Sequence, residues 1–108
     1  MSVVVVRYKT KSDRADENQA SIEAVFAELA GARPDGLRYL TLRLGDGVSF
    51  VHVASIETAD GTNPLAAIAA FGAFQQGIGE RLEEGPLVMD ATVIGSYGFP
   101  TDADRPQT

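Results

Sequence analysis

The chain has no cysteine and no tryptophan, and it carries one histidine and two methionines in 108 residues. Without thiols there is no disulfide framework, no thiolate nucleophile and no soft-ligand metal site. A lone histidine supplies no dedicated transition-metal ligand set, and the acids of SDRADENQ lack the order of a calcium-binding loop, so no metal is expected. Long apolar runs are missing too. No stretch approaches the ~18 residues that cross a bilayer, and MSVVVV has neither the length nor the basic flank of a secretory signal, so the expectation is a cytoplasmic protein with no membrane partner. Basic residues are in the minority, 9 against 15 acids, for a formal net charge of −6. A surface of that sign repels a phosphate backbone, so nucleic acid is not an expected partner, and the acidity reads as a solubility feature. GIGERLEEG lacks the third glycine and the strand-to-helix position of a dinucleotide fingerprint, and no phosphate loop is present.

What remains is a chain 44% hydrophobic and 22% charged, enough for one globular core. VVVVRYKTK (3–11) is β-branched and aromatic, as strands favour. From Asp16 the spacing turns helical, with Ile22, Val25, Phe26 and Leu29 on one stripe. Asp16 and Gln19 resemble a capping box, Gly31 and Pro34 stop the run, and Glu17, Glu23 and Glu28 fall on a solvated face. LRYLTLRL (37–44) and VSFVHVASIE (48–57) are extended runs joined by Gly45-Asp46-Gly47, a hairpin signal. Thr62 or Asn63 then caps a second helix running to about Leu82, with Pro64 in its first turn. LVMDATVIGSY (87–97) reads as a last strand, and 100–108 as a loose tail. The order β-α-β-β-α-β predicts an α+β, ferredoxin-like domain over residues 1–99: a four-stranded antiparallel sheet with two helices on one face.

The hairpin sorts its residues onto two faces. With Asp46 and Gly47 in the turn, Leu42 pairs with Val51, Leu40 with Val53, Thr41 with His52 and Tyr39 with Ala54. One face carries Leu40, Leu42, Leu44, Val51 and Val53 and is expected under the helices. The other carries Tyr39, Thr41, Arg43, Phe50, His52, Ala54 and Ile56. In the first strand Val4, Val6 and Tyr8 go to the core, which sets Arg7 on the His52 face. In the last, Met89, Ala91 and Val93 go inward, while Asp90, Thr92, Ile94 and Ser96 join His52. That mixed face is too apolar for water and too polar for a dry core. A second copy packed against it, as a homodimer, would cover it and leave a small-molecule cavity.

The layout VVVVRYKTK, DENQASIEAVFAEL, PDGLRYLTLRLGDGVSFVHVASIE and NPLAAIAAFGAFQQGIGERL resembles the antibiotic biosynthesis monooxygenase-like family of dimeric α+β barrel proteins, over about residues 3–99. The resemblance implies a dimeric barrel around a cavity in each subunit. It also implies oxygenation or isomerisation of an electron-rich aromatic or enolisable compound, an oxidoreductase chemistry needing no cofactor. Haem-degrading members use a tryptophan, an asparagine and a helix-borne histidine; here tryptophan is absent and the histidine lies on a strand, so haem is not expected.

Each candidate residue carries two readings. His52 is either a partly buried ring bonded to Thr41 or Tyr39, or a base whose product anion is stabilised by Arg7 or Tyr39. Arg7 pairs with Asp90 or holds a substrate anion. Tyr39 packs or contacts ligand, and Gln75 bonds nearby backbone or reaches the cavity. Thr41, Arg43, Phe50 and Thr92 complete the expected substrate-binding wall. Ser49 and Ser55 face away from His52, which removes serine nucleophile chemistry. The catalytic reading competes with a non-catalytic homodimer that binds a small molecule, and with a stress-related dimer whose barrel is packed solid.

Overall fold

A computed structural model describes residues 2–98. Its elements are β1 (Ser2–Thr10), α1 (Ala15–Ala32), β2 (Leu37–Arg43), β3 (Ser49–Ile56), α2 (Ala69–Arg81) and β4 (Leu82–Ala91), with short 3-10 turns at Ser12–Arg14 and Pro64–Ala67. The sheet runs β2-β3-β1-β4, every neighbouring pair antiparallel, which is the ferredoxin-like α+β arrangement. The expected tail, residues 100–108, lies outside the described residues. No described helix is long and apolar enough to cross a membrane.

The hairpin register is the one its turn dictates: Leu42 opposite Val51, Thr41 opposite His52 and Leu40 opposite Val53. Gly47 takes φ +79°, a conformation that costs glycine little. Asp46 Oδ1 accepts from the Val48 and Ser49 amides at 3.0 and 2.8 Å. Those bonds and the Ser49 hydroxyl hold the Asp46 carboxyl down at about 2.

Helix boundaries differ from expectation because other donors and acceptors intervene. Asp16 and Gln19 form no capping box; both bind Arg43 Nη1 instead, at 3.1 and 2.6 Å, tying the start of α1 to the end of β2. Asn63 caps the 3-10 turn, accepting from the Leu65 amide at 3.0 Å, and the chain breaks at Ile68 before α2 begins. The N-terminus of α2 is capped from another helix: Glu28 accepts from the Ala69 and Ala70 amides at 3.0 and 2.8 Å. Glu28 is therefore an interhelical cap and not part of a solvated face, which suits a carboxylate facing the positive end of a helix. β4 starts at Leu82, five residues before the expected Leu87, so Thr92, Ile94 and Ser96 lie beyond its end.

The two faces of the hairpin sort as expected, but their neighbours are exchanged. Val6 pairs with His52 and Tyr8 with Phe50, so the mixed face of Tyr39, Thr41, Phe50 and His52 joins Val4, Val6 and Tyr8 beneath the helices. There Tyr8, Phe50, Ile22, Val25, Leu65, Ile68 and Phe74 form the core. The aliphatic face is the open one, with Leu40, Leu42, Leu87 and Met89 at 39, 45, 61 and 63% exposure. Arg7 shares that open face, paired with Val51 and Leu87, and Met89 and Ala91 lie there too, opposite Val5 and Val3. The physical reason is aromatic packing: rings on β1, β2 and β3 fill the wide space under two helices, which short aliphatic side chains would leave void.

Phe50 is 1% exposed, stacks on Tyr8 at 5.6 Å between centroids and carries Arg43 over its other environment at 5.6 Å. Phe50→Ala is expected to cost about 3–5 kcal/mol in urea unfolding, seen as a lower midpoint with an unchanged slope.

Candidate active site

Between the sheet and α2 lies a cavity of about 320 Å3 whose wall is mostly apolar, built from Val4, Val6 and Val88 of the sheet and from Phe71, Phe74 and Ile78 of α2. This volume falls at the low end of small-molecule sites. The cavity lies between sheet and helix within a single chain, on the face that carries His52. It is open, although Tyr39 and Ile56 stand in its wall.

His52 sits in that wall, 5% exposed. Its ring lies 5.3 Å from Tyr8, 5.8 Å from Tyr39 and 5.5 Å from Phe74, centroid to centroid. Both nitrogens are engaged: Nε2 with the Tyr8 hydroxyl at 2.7 Å, and Nδ1 with the Tyr39 hydroxyl at 2.6 Å and the Thr41 hydroxyl at 3.2 Å. The polar chain continues inward. Asn18 Nδ2 donates to the Tyr8 oxygen at 2.9 Å, Arg81 Nε donates to Asn18 Oδ1 at 2.9 Å, and Arg81 Nη2 donates to the Phe74 carbonyl at 3.1 Å. Asn18 is 0% and Arg81 4% exposed, so this is a polar network inside the core. Glu17 is the nearest carboxylate to the guanidinium, at 3.9 Å.

Burial is the largest influence on each titratable group of the cluster. Desolvation penalises imidazolium and pushes His52 down to about 4. Desolvation likewise pushes Tyr8 up to about 12, against the opposing pull of the Asn18 hydrogen bond. It raises Tyr39 too, against the pull of Thr41. At neutral pH the cluster is therefore an uncharged imidazole between two intact phenols.

Of the residues singled out in the sequence, His52, Tyr39 and Gln75 line the cavity and Thr41 bonds the imidazole. Phe50 stands behind Tyr8, Arg43 is held at the surface by Asp16, and Thr92 is exposed beyond β4. Arg7 and Asp90 lie on opposite faces of the sheet, Arg7 on the open one. Sequence reasoning passed over Tyr8, taken as core, and over Asn18, Arg81, Phe71 and Phe74. A signal existed: Asn18 continues the Ile22–Val25 stripe backward by four residues, and Arg81 follows Phe74 by seven. Among the described residues no cluster of three or more histidines and acids is arranged to hold a metal.

No protein-family model matches the chain, and no curated protein matches it by sequence. Solved structures do. An antibiotic biosynthesis monooxygenase-like protein of Nitrosomonas europaea superposes with a TM-score of 0.71 at 15% identity, over 88% of this chain and 100% of that one. The fold is that of the antibiotic biosynthesis monooxygenase proteins. SnoaB, a cofactor-independent oxygenase from Streptomyces nogalater, superposes with a TM-score of 0.65 at 18% identity, over 91% of this chain and 97% of its own. A similar protein of Caulobacter crescentus gives 0.67 at 18% identity, over 87% and 90%.

Because His52 stays neutral when folded but titrates near ~6.5 when unfolded, the unfolded chain binds the extra proton between these values. Stability is full above about pH 6.5 and falls as pH drops toward about 4, by about 3 kcal/mol at 1.36 kcal/mol per unit. Urea unfolding of wild type against His52→Gln across that range is expected to show this share of the slope vanishing in the variant.

Proposed function

We propose that this protein is a monooxygenase-like enzyme that takes an electron-rich aromatic or enolisable compound into the cavity beside His52 and removes a proton from it. The observation that carries this reading is a neutral, water-excluded imidazole joined at both nitrogens to phenol hydroxyls on the wall of an apolar cavity. Among the described residues no lysine or arginine lines that cavity, so a bound carboxylate or phosphate would lack a counter-charge there, which favours an uncharged substrate.

Proton transfer runs through a tyrosine hydroxyl, which takes the substrate proton as it passes its own to the imidazole. The anion left behind is stabilised by the remaining hydroxyl. For the oxygenase reaction the carbanion, formed at a carbon that bore two hydrogens, adds to dioxygen with a new C–O bond. The peroxide anion takes back the proton held by the imidazole, and the hydroperoxide loses its terminal OH and the second carbon-bound hydrogen as water, leaving a carbonyl. No cofactor is required for these steps. SnoaB, of the same fold, is named as an oxygenase of this cofactor-independent kind, which supports the reading. Arg7, Arg43 and Thr92 carry no role in it, because they lie away from the cavity.

The reading includes a homodimer. The open face with Leu40, Leu42, Val51, Val53, Leu87 and Met89 is an aliphatic patch of the kind a second copy covers. Sedimentation at micromolar concentration is expected to give a dimer, and Leu42→Lys a monomer. A wild-type monomer with that face wet would remove this part of the proposal.

Oxygen uptake against a panel of hydroxylated aromatic ketones tests the activity. Expected for a turned-over compound is a kcat loss of about 10²–10⁴-fold in His52→Ala. The wild-type kcat/KM should stay flat from pH 7 to about 5 and fall with an apparent pKa near about 4, the value of the free imidazole. Saturable binding of such compounds with no turnover would instead assign the cavity to a non-catalytic binder, a reading favoured by the engagement of both ring nitrogens within the protein.

A further inference from the structure

Each hydrogen bond in the buried chain has a donor end, and one residue in it can only donate. Arg81 presents Nε to Asn18 at 2.9 Å, and a guanidinium has no acceptor. Asn18 must therefore turn its Oδ1 to Arg81, which leaves Nδ2 facing the Tyr8 oxygen at 2.9 Å. With the Tyr8 oxygen used as an acceptor, its own proton has one acceptor within reach among the described residues, His52 Nε2 at 2.7 Å. A neutral imidazole that accepts at Nε2 carries its proton on Nδ1, directed at the Tyr39 oxygen 2.6 Å away.

We infer that Arg81 is a positioning residue that sets the direction of the whole chain Arg81, Asn18, Tyr8, His52, Tyr39, and so fixes the His52 tautomer as Nδ1–H. The consequence reaches the cavity. The Tyr39 oxygen receives the Nδ1 proton from His52 and the hydroxyl proton of Thr41, so Tyr39, which lines the cavity, keeps its own O–H to donate to a ligand oxygen. At the other end the Tyr8 oxygen, which also lines the cavity, keeps one lone pair to accept a ligand proton. The site thus matches a compound bearing a hydroxyl for Tyr8 and a carbonyl or developing oxyanion for Tyr39. In the reversed direction Tyr39 would spend its proton on Nδ1 and Thr41 its own on Tyr39, and Tyr39 would offer the cavity no proton.

The seat of Arg81 is built for this contact. The guanidinium lies over the Phe74 ring at 5.4 Å, and a Cβ added at Gly77 would sit 2.5 Å from Arg81 Nη1. The side chain is pinned by its bonds to Asn18 and the Phe74 carbonyl, so it cannot yield without releasing Asn18.

This inference gives the direction of proton movement in the function proposed above, but its test needs no substrate, so it stands or falls separately from activity. His52 is the only histidine, and a protein labelled with ¹⁵N-histidine reports one imidazole. Long-range ¹⁵N–¹H correlation at pH 7 is expected to show the proton on Nδ1 in wild type. Asn18→Asp is nearly isosteric and supplies a carboxylate that accepts from both Arg81 and Tyr8. The Tyr8 oxygen then takes the imidazole proton, and the proton is expected to move to Nε2. Gly77→Ala, which keeps every member of the chain but crowds Arg81, is expected to give a mixture of both tautomers, and it serves alone where Asn18→Asp does not fold. A wild-type proton on Nε2 would overturn the assignment, and so would a folded variant of either kind that keeps Nδ1–H in wild-type proportion.

Discussion

A guanidinium, an amide, an imidazole and two phenols, hydrogen-bonded end to end, hold this molecule to one arrangement. Arg81 comes from α2, Asn18 from α1, Tyr8 from β1, His52 from β3 and Tyr39 from β2, so the hydrogen-bonded chain crosses both layers and touches five of the six main elements. In a low-dielectric interior such a network is strong when complete and costly when any member is missing. It also sets the spacing of α2 from the sheet. An aliphatic core would draw the helix down until the gap closed, whereas side chains of fixed length bonded end to end keep the layers apart and leave the cavity beside them.

The sequence carried the order of elements and the register of the β2–β3 hairpin well, because both rest on local rules: a Gly-Asp-Gly turn and a period of two. It carried the two faces of that hairpin equally well. What it could not carry was which face meets the helices. Alternation reports that a side chain favours cover from water and is silent about what supplies it, and here both faces carry large apolar side chains. The aliphatic set Leu40, Leu42, Val51 and Val53 stays open in the single chain, while the ring-bearing set that looked too polar for a core is the core. Arg7 followed the exchange and left the site. Asn18 and Arg81 were missed for a related reason: a polar residue ending an apolar stripe reads as its boundary, although both side chains remain buried at helical spacing from it.

Identities of 15 and 18% with TM-scores of 0.71 and 0.65 mark a fold kept by pattern rather than by residues. Such a likeness transfers the βαββαβ frame and the place where a cavity can form, and it transfers no side-chain chemistry. The chemistry has to be read from the wall itself, and there the decisive feature is the neutral state of all three titratable groups at physiological pH.

That neutrality looks at first like a poor base, since an imidazole held at about 4 has little hold on a proton at neutral pH. That changes once a substrate is bound. Desolvation is what holds His52 down, because a buried imidazolium would have no anion beside it. In the proposed reaction a substrate anion formed beside His52 would be that partner, and at an effective dielectric below that of water the attraction between the two is on the order of several kcal/mol. Each 1.36 kcal/mol of it moves the imidazole up by about one pKa unit. On the proposed reading the base is weak when the cavity holds nothing and strengthens only against the anion it creates, which would tie proton removal to occupancy and keep the resting imidazole uncharged.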